Sequence, residues 1–283
     1  MRFNIELFVL IETLKNIAGA QYHMMEKEKR VRFERFMHSF ADFFKVVHMA
    51  DVPHPLVKRA SDSVGVLAIT SDAGFMGGLN SAVIRTAVEA VGDIAPDKVR
   101  YVIIGDKGAS QIGDREVSFK FFQGIANETK YEQAVEVRDY LVREVVEGRI
   151  GKLIVVYPRA LSFTRQTIET ISLLPCSELL DKGVEAEATG GMIGGRKVVV
   201  ESKVDDMIAY LATVWLTAKL LEVFEDSKLA EFAARAMHLE GSVQKLQELN
   251  KKLKYQFFRS SHENVDKGMR ESYSAKKVRD STR

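Results

Sequence analysis

The sequence predicts an α/β protein with a long coiled coil: N- and C-terminal helices paired antiparallel, with a central mixed α/β, Rossmann-like domain between them. Three observations predict it. All five prolines lie between Pro53 and Pro175, and a helix interior excludes proline because it loses a hydrogen bond and clashes, at about 3 kcal/mol. Both proline-free ends repeat apolar residues at helical spacing. The middle alternates β-branched runs with helical-period segments, as strands and helices in layers do.

Residues 1–50 contain one glycine, Gly19, and carry Leu7, Leu10, Ile11, Leu14 and Ile17, then Phe33, Phe36, Met37, Phe40, Phe44 and Val47. That spacing predicts one long helix. Runs 64–69, 99–104, 152–157 and 167–174, closed by turn residues, predict strands, while 81–91 and 128–147 predict helices. Gly190, Gly191, Gly194 and Gly195 mark 185–200 as a loop or hairpin returning the chain to a last helix. From Val204 onward Met207, Ile208, Leu211, Trp215, Leu221, Phe232, Ala236 and Leu239 keep helical period. Such a helix would approach ~110 Å at about 1.5 Å per residue. Helices that outrun a compact domain must bury their apolar stripe against each other or a partner chain. Leu239, Val243, Leu246, Leu253 and Phe257 fall at near-heptad steps, with Asn250 as a polar interruption, which favours an antiparallel coiled coil. The alternative is an ordinary helical bundle folded at Gly241. The expected organisation is an N-terminal helix over 1–58, an α/β domain over 59–200, and a C-terminal helix with a basic tail over 201–283.

Composition excludes several classes. With 283 residues, 46% hydrophobic and 28% charged, the chain is neither disordered nor fibrous. A net charge of +2, from 41 basic and 39 acidic residues, supplies no global basic field, so nucleic acid is not an expected partner. Cys176 stands alone; it excludes an internal disulfide and a cysteine-built zinc site, fits a reducing compartment, and reads as a small buried residue. No apolar run reaches the ~18–20 residues of a membrane span, and the first residues lack the features of a signal peptide. Any membrane role is therefore expected to be peripheral. His23, His38, His48, His54, His238 and His262 form no H-x-x-x-H pair, so no metal site is expected. Asp205 and Asp206 open a helix, where the dipole favours negative charge. No general acid and base stand out, and no catalytic residue or cofactor is expected.

One loop merits weighing as a site. Ser71-Asp72-Ala73-Gly74-Phe75-Met76-Gly77-Gly78-Leu79-Asn80 follows a buried strand and opens a helix, a place where many α/β proteins bind phosphate. It lacks the lysine of a P-loop, and Gly74, Gly77 and Gly78 miss the G-x-G-x-x-G spacing. A structural turn, with Asn80 as helix N-cap, accounts for it on physical grounds. Charge also becomes uneven late in the chain: Lys251, Lys252, Lys254, Arg259, Lys267, Arg270, Lys276, Lys277, Arg279 and Arg283 face only Glu263, Asp266, Glu271 and Asp280. This is either a solvated face or a basic tip running inside an acidic partner surface.

The stretch 69–80, Ile-Thr-Ser-Asp-Ala-Gly-Phe-Met-Gly-Gly-Leu-Asn, resembles the "TSDRGLCGGLN" segment of the gamma subunits of F-type ATP synthases. Further matches keep that family's order: Lys15-Asn16-Ile17 with "NTQKITKAM", Pro53 to Leu56 with "HPL", and Ile103-Ile104-Gly105-Asp106-Lys107-Gly108 with "IGSKG". Later, Thr167 to Pro175 is similar to "PTISQLLP" and Glu231-Phe232-Ala233-Ala234-Arg235-Ala236-Met237 to "SEQAARMVAM". The resemblance implies a noncatalytic rotor shaft whose terminal helices enter a ring of alpha and beta subunits, while its lower part rests with an epsilon subunit on a membrane c-ring. It implies a peripheral position on the cytoplasmic face of a bacterial inner membrane. Asp72, Gly74, Gly77, Gly78 and Asn80 become the family-motif turn, and Leu253, Phe257, Arg259, His262 and Lys267 candidate contacts to the ring. Two departures stand out: Ser261-His262 replaces the family's Arg-Gln, so that contact is not carried over, and 22–30 replaces "MVAASKMRK". A structural adaptor that has left the rotary complex, or a stand-alone α/β enzyme using the loop 72–80, are the rival readings.

Overall fold

The computed structural model describes residues 2–48, 54–59, 61–115, 117–176, 192–193, 196–197 and 203–281. Its elements are α1 (Arg2–His48), β1 (Val64–Ile69), α2 (Leu79–Glu89), β2 (Val99–Ile104), α3 (Asp106–Gly113), β3 (Phe119–Phe122), α4 (Lys130–Val146), β4 (Lys152–Ala160), β5 (Gln166–Leu174), β6 (Met192–Ile193), β7 (Arg196–Lys197) and α5 (Val204–Ser281). The expected strands and helices are all present, with ends shifted by up to three residues except for the N-terminal helix: it is described to His48, and residues 54–58, inside its expected span of 1–58, are turn and loop rather than helix. Two elements were not legible, α3 and β3. Asp106–Gly113 holds two glycines and buries only Gly108 and Ile112, and β3 has four residues, so neither repeats long enough to show a period. The β6–β7 pair falls in the expected hairpin region; the rest of 185–200 lies outside the described residues.

The chain divides into two compact units, Met1–Ile17 with Met237–Arg283, and Ala18–Ala236. The larger unit is built on a five-stranded sheet of order β3-β2-β1-β4-β5, parallel except for the antiparallel β4–β5 hairpin. All six residues of β1 are buried, as befits a central strand covered on both faces. Val64, Val66 and Ala68 pack with Val83, Ile84 and Ala87 of α2 and Ile112 of α3. Leu67 and Ile69 face the other way, toward Val137 and Leu141 of α4 and Leu216, Leu220 and Phe224 of α5. In the same unit Tyr22 and Met25 of α1 join Leu229, Phe232 and Ala233 of α5 in a separate cluster. The tip of the β4–β5 hairpin reaches it, with Phe163 edge-on to Tyr22 at 5.1 Å between ring centroids.

In the smaller unit α1 and α5 pair antiparallel. Lys15 Nζ lies 3.0 Å from Glu240 Oε2, and this hydrogen bond holds the Glu240 carboxyl below the usual carboxylate range. Leu239, Val243 and Leu246 are buried along the seam. Counting back along α1 from Lys15 to Arg2 and an equal number of steps forward along α5 from Glu240 sets Arg2 level with Leu253. Burial stops there: Leu253 is half-buried, and Phe257, which the heptad steps place on the seam, is 61% exposed. Gly241 sits inside the uninterrupted α5, so the alternative of a bundle folded there is not what the chain adopts.

A β-carbon added at Gly241 would meet nothing within 4 Å. Gly241→Ala is therefore expected to stabilise the chain by about 0.5–1 kcal/mol in urea unfolding, the helix-propensity gain of alanine over glycine. A turn at this position would give the opposite sign.

Candidate functional site: the switch-point loop and the uncovered end of the last helix

The loop 70–80 leaves the C-terminal end of β1, beside the ends of β2 and β3. Thr70 Oγ1 donates to the Ile104 carbonyl at 2.6 Å and accepts from the Gly108 N–H at 3.0 Å, tying the end of β2 to α3. Asp72 crosses further. Its Oδ1 accepts from the N–H of Asp106, the first residue of α3, at 2.9 Å, and its carboxylate also accepts from the Gly124 N–H at 3.0 and 3.1 Å. The first N–H of α3 is thus taken by a carboxylate of the chain itself, a placement that the helix dipole favours. Close approach demands glycine here: a β-carbon at Gly105, whose φ is 96°, would come within 2.5 Å of the Thr70 carbonyl oxygen, and one at Gly124 within 2.5 Å of the Asp72 carboxylate.

Asn80 does not cap α2. The N-cap is Gly78, without a side-chain bond, and the Asn80 side chain turns back to β1. Its Oδ1 accepts from the Ser71 N–H at 3.3 Å and its Nδ2 donates to Ser71 Oγ at 3.0 Å. Asn80 lies in the first turn of the helix rather than before it, so its amide is placed to clasp the loop instead. The left-handed turns fall on Gly77, at φ 58°, and on Phe75, at φ 66° and 61% exposed; such a conformation is uncommon for a bulky residue. Arg235 of α5 donates to the Gly74 carbonyl at 3.4 Å while paired with Glu231 at 2.6 Å. Two separate sequence motifs, 69–80 and 231–237, therefore meet.

Other features offer little chemistry. A cleft of about 560 Å³ beside β3, α4 and α5 carries Glu136 as the sole ionisable side chain in its lining. Burial pushes the Cys176 thiol up and leaves it a poor nucleophile. Among the described residues, no group of three or more metal-ligating side chains gathers, and no helix is long and apolar enough to cross a membrane.

Beyond Leu253, α5 is exposed on every side through Ser274. Tyr255, Phe258, His262, Val265, Met269 and Tyr273 recur at steps of three and four and so share one face. The five large hydrophobic residues among them are all more than half exposed. Of the candidate contacts, His262 lies on this stripe, Arg259 flanks it, and Leu253, Phe257 and Lys267 point to other sides of the helix. The remaining stripe residues went unnamed in the sequence reading, although their spacing was the signal. Arg259 pairs with Glu263 at 3.0 Å.

A mixed α/β sheet with the ends of β1, β2 and β3 tied together by a carboxylate of the chain itself, together with antiparallel terminal helices, defines the class of protein. Comparison with known proteins agrees. The ATP synthase family model matches residues 9–271, and the chain belongs to that family. Its relatives include the ATP synthase gamma chains of Chlorobium phaeobacteroides, 28% identical over 70% of this chain and 67% of that one, and of Bacteroides thetaiotaomicron, 24% identical over 90% and 89%. With the gamma chain of Clostridium beijerinckii it is 25% identical, the match spanning 68% of this chain and 64% of the relative. The same fold occurs in the Euglena gracilis mitochondrial ATP synthase, OSCP/F1/c-ring, rotational state 3, with a TM-score of 0.65 at 15% identity over 98% of this chain and 91% of that one. The central stalk/c-ring structure of the Tetrahymena thermophila enzyme gives a TM-score of 0.61 at 15% identity, over 82% and 99%.

Asp72→Ala is expected to lower the unfolding free energy by about 1–2 kcal/mol, since these hydrogen bonds are charge-assisted but partly exposed. Gly124→Ala should cost a similar amount by displacing the same carboxylate, and the double variant should cost little more than either single one. Urea titration of the three variants measures this.

Proposed function

We propose that this chain is the central-stalk gamma subunit of a membrane-associated F-type ATP synthase. It couples ion-driven rotation of a membrane c-ring to changes at the nucleotide sites of an alpha/beta ring, and contributes no catalytic residue of its own. The observation that carries the reading is the stripe on α5 after Leu253. A helix cannot hold an apolar face in water for five turns without a cover, and alpha and beta subunits are the partners the family offers. Membership of a family whose relatives are gamma chains supports it.

An epsilon subunit and the c-ring complete the set of partners. The chain sits peripherally on the cytoplasmic face of a bacterial inner membrane. Any work of coupling comes from contacts that differ between alternative beta conformations, because a contact equal in all of them shifts no population. Tyr255, Phe258, His262, Val265, Met269 and Tyr273 are the contact surface of this reading, with Arg259 beside them and Lys267 on the other side of the helix supplying screened attraction that does not depend on one rotational angle.

Reconstitution with the alpha and beta subunits of the same organism tests the proposal. A defined complex whose ATPase activity depends on this chain is the expected result; failure to assemble would favour the adaptor reading, despite family membership. Phe258→Asp, which places a charge on the stripe, should weaken assembly about tenfold or more, the loss typical of a buried aromatic anchor. Size-exclusion analysis across a concentration series reads it.

A further inference from the structure

α4 lies along α5 in the opposite direction, and two polar contacts join them. Lys130 Nζ donates to Glu225 Oε1 at 2.8 Å, and Arg138 Nη1 donates to Thr217 Oγ1 at 2.8 Å. The partners are eight residues apart on each helix (138 − 130 = 8 and 225 − 217 = 8), so the two contacts stand about 12 Å apart along the helix pair. Between them Ala134 and Val137 of α4 and Leu220 and Phe224 of α5 belong to one buried apolar cluster, which Leu141 and Leu216 continue just past Arg138 and Thr217.

Apolar contact is non-directional and resists separation far better than it resists rolling or sliding. Hydrogen bonds depend on angle and distance and resist both. The side chain of Glu225 is 6% exposed and that of Lys130 21%, so the charge-assisted contact is shielded from competing water. Asp226, the next residue around α5, approaches Arg159 of β4 at 3.8 Å, a restraint about 100° further round the helix.

We propose that Lys130–Glu225 and Arg138–Thr217 form a twist lock. They fix the rotational angle of α5 on the α/β domain, so that torque applied to the domain turns the helix instead of being lost in rolling at the apolar interface. This rests on the rotor reading for its purpose, but the lock itself is a property of the chain. Lys130, Glu225, Arg138 and Thr217 are positioning residues, none of them on the α5 stripe proposed to meet the ring.

The test uses the full chain with spin labels on cysteines replacing exposed Glu132 of α4 and Tyr210 of α5, Cys176 being left in place because it is buried. Lys130→Gln, Glu225→Gln and the exchange Lys130→Glu with Glu225→Lys are compared by the width of the α4–α5 distance distribution. In assembled complexes, the angular fluctuation of a probe on the α/β domain is read with α5 held in the ring. Four directional contacts hold α5 to the domain, with Arg159–Asp226 and Arg235–Gly74 beside these two, so removing one should raise the mean-square fluctuation about 1.3-fold if they act equally in parallel. Both single variants should show this, with the exchange returning to the wild-type value; ATPase activity per assembled complex should change far less.

Fluctuations and distance widths equal to wild type in the single variants would overturn the lock, as would an exchange as loose as either single variant. Should the single variants not fold, the exchange, which keeps both charges, decides alone: wild-type width supports the lock and a broadened one refutes it. If the wild-type chain does not assemble, the rotor reading fails, while the distance measurement on the chain alone still decides the lock.

Discussion

Covering one long apolar stripe is the constraint on which this structure depends. α5 runs for 78 residues, and a helix of that length is stable in water only where its apolar face is buried. Along the larger unit it is buried against the sheet and α4, through Leu211, Trp215, Leu216, Leu220 and Phe224. Along the smaller unit α1 covers it at Leu239, Val243 and Leu246. Past Leu253 no described residue covers it, and there the stripe of Tyr255, Phe258, Val265, Met269 and Tyr273 is exposed. The helix is thus one continuous element serving three different surfaces in turn.

The α/β domain ties the carboxyl ends of its neighbouring parallel strands together through one loop. Asp72 accepts from the donors at Asp106 and Gly124, and Thr70 and Ser71 complete the stitching through Ile104, Gly108 and Asn80. The result is a hydrogen-bonded joint between the ends of β1, β2 and β3. Arg235 adds α5 to that joint through the Gly74 carbonyl.

Polar contacts around α5 divide the labour with apolar ones. Burial supplies most of the adhesion, but it is indifferent to small rotations. Directional contacts from α4, β4 and the loop after β1 set register and angle. For a subunit that works as a shaft, this second property matters as much as stability, because a shaft that rolls in its mount transmits nothing.

How much of this was legible beforehand follows from the range of each interaction. The long helices, the buried strands 64–69 and 99–104, and the paired-helix layout were visible because periodicity and the distribution of proline are local properties that repeat many times. α3 and β3 were not, since Asp106–Gly113 and Phe119–Phe122 are too short to repeat. The glycines at 105 and 124 look like simple breaks in sequence, yet they are required by atoms of Thr70 and Asp72 that lie 35 and 52 residues away. Asn80 looked like a cap and became a clasp, because its partner Ser71 is decided by where the loop turns. Sequence alone therefore determined the long helices, the longer strands and the family they belong to, because those follow from patterns that repeat along the chain. Only the tertiary structure decided that Asp72 ties β1 to the ends of β2 and β3, that Lys130 meets Glu225, and that the seam ends at Leu253, because each depends on which distant residues the fold brings within hydrogen-bonding or packing distance.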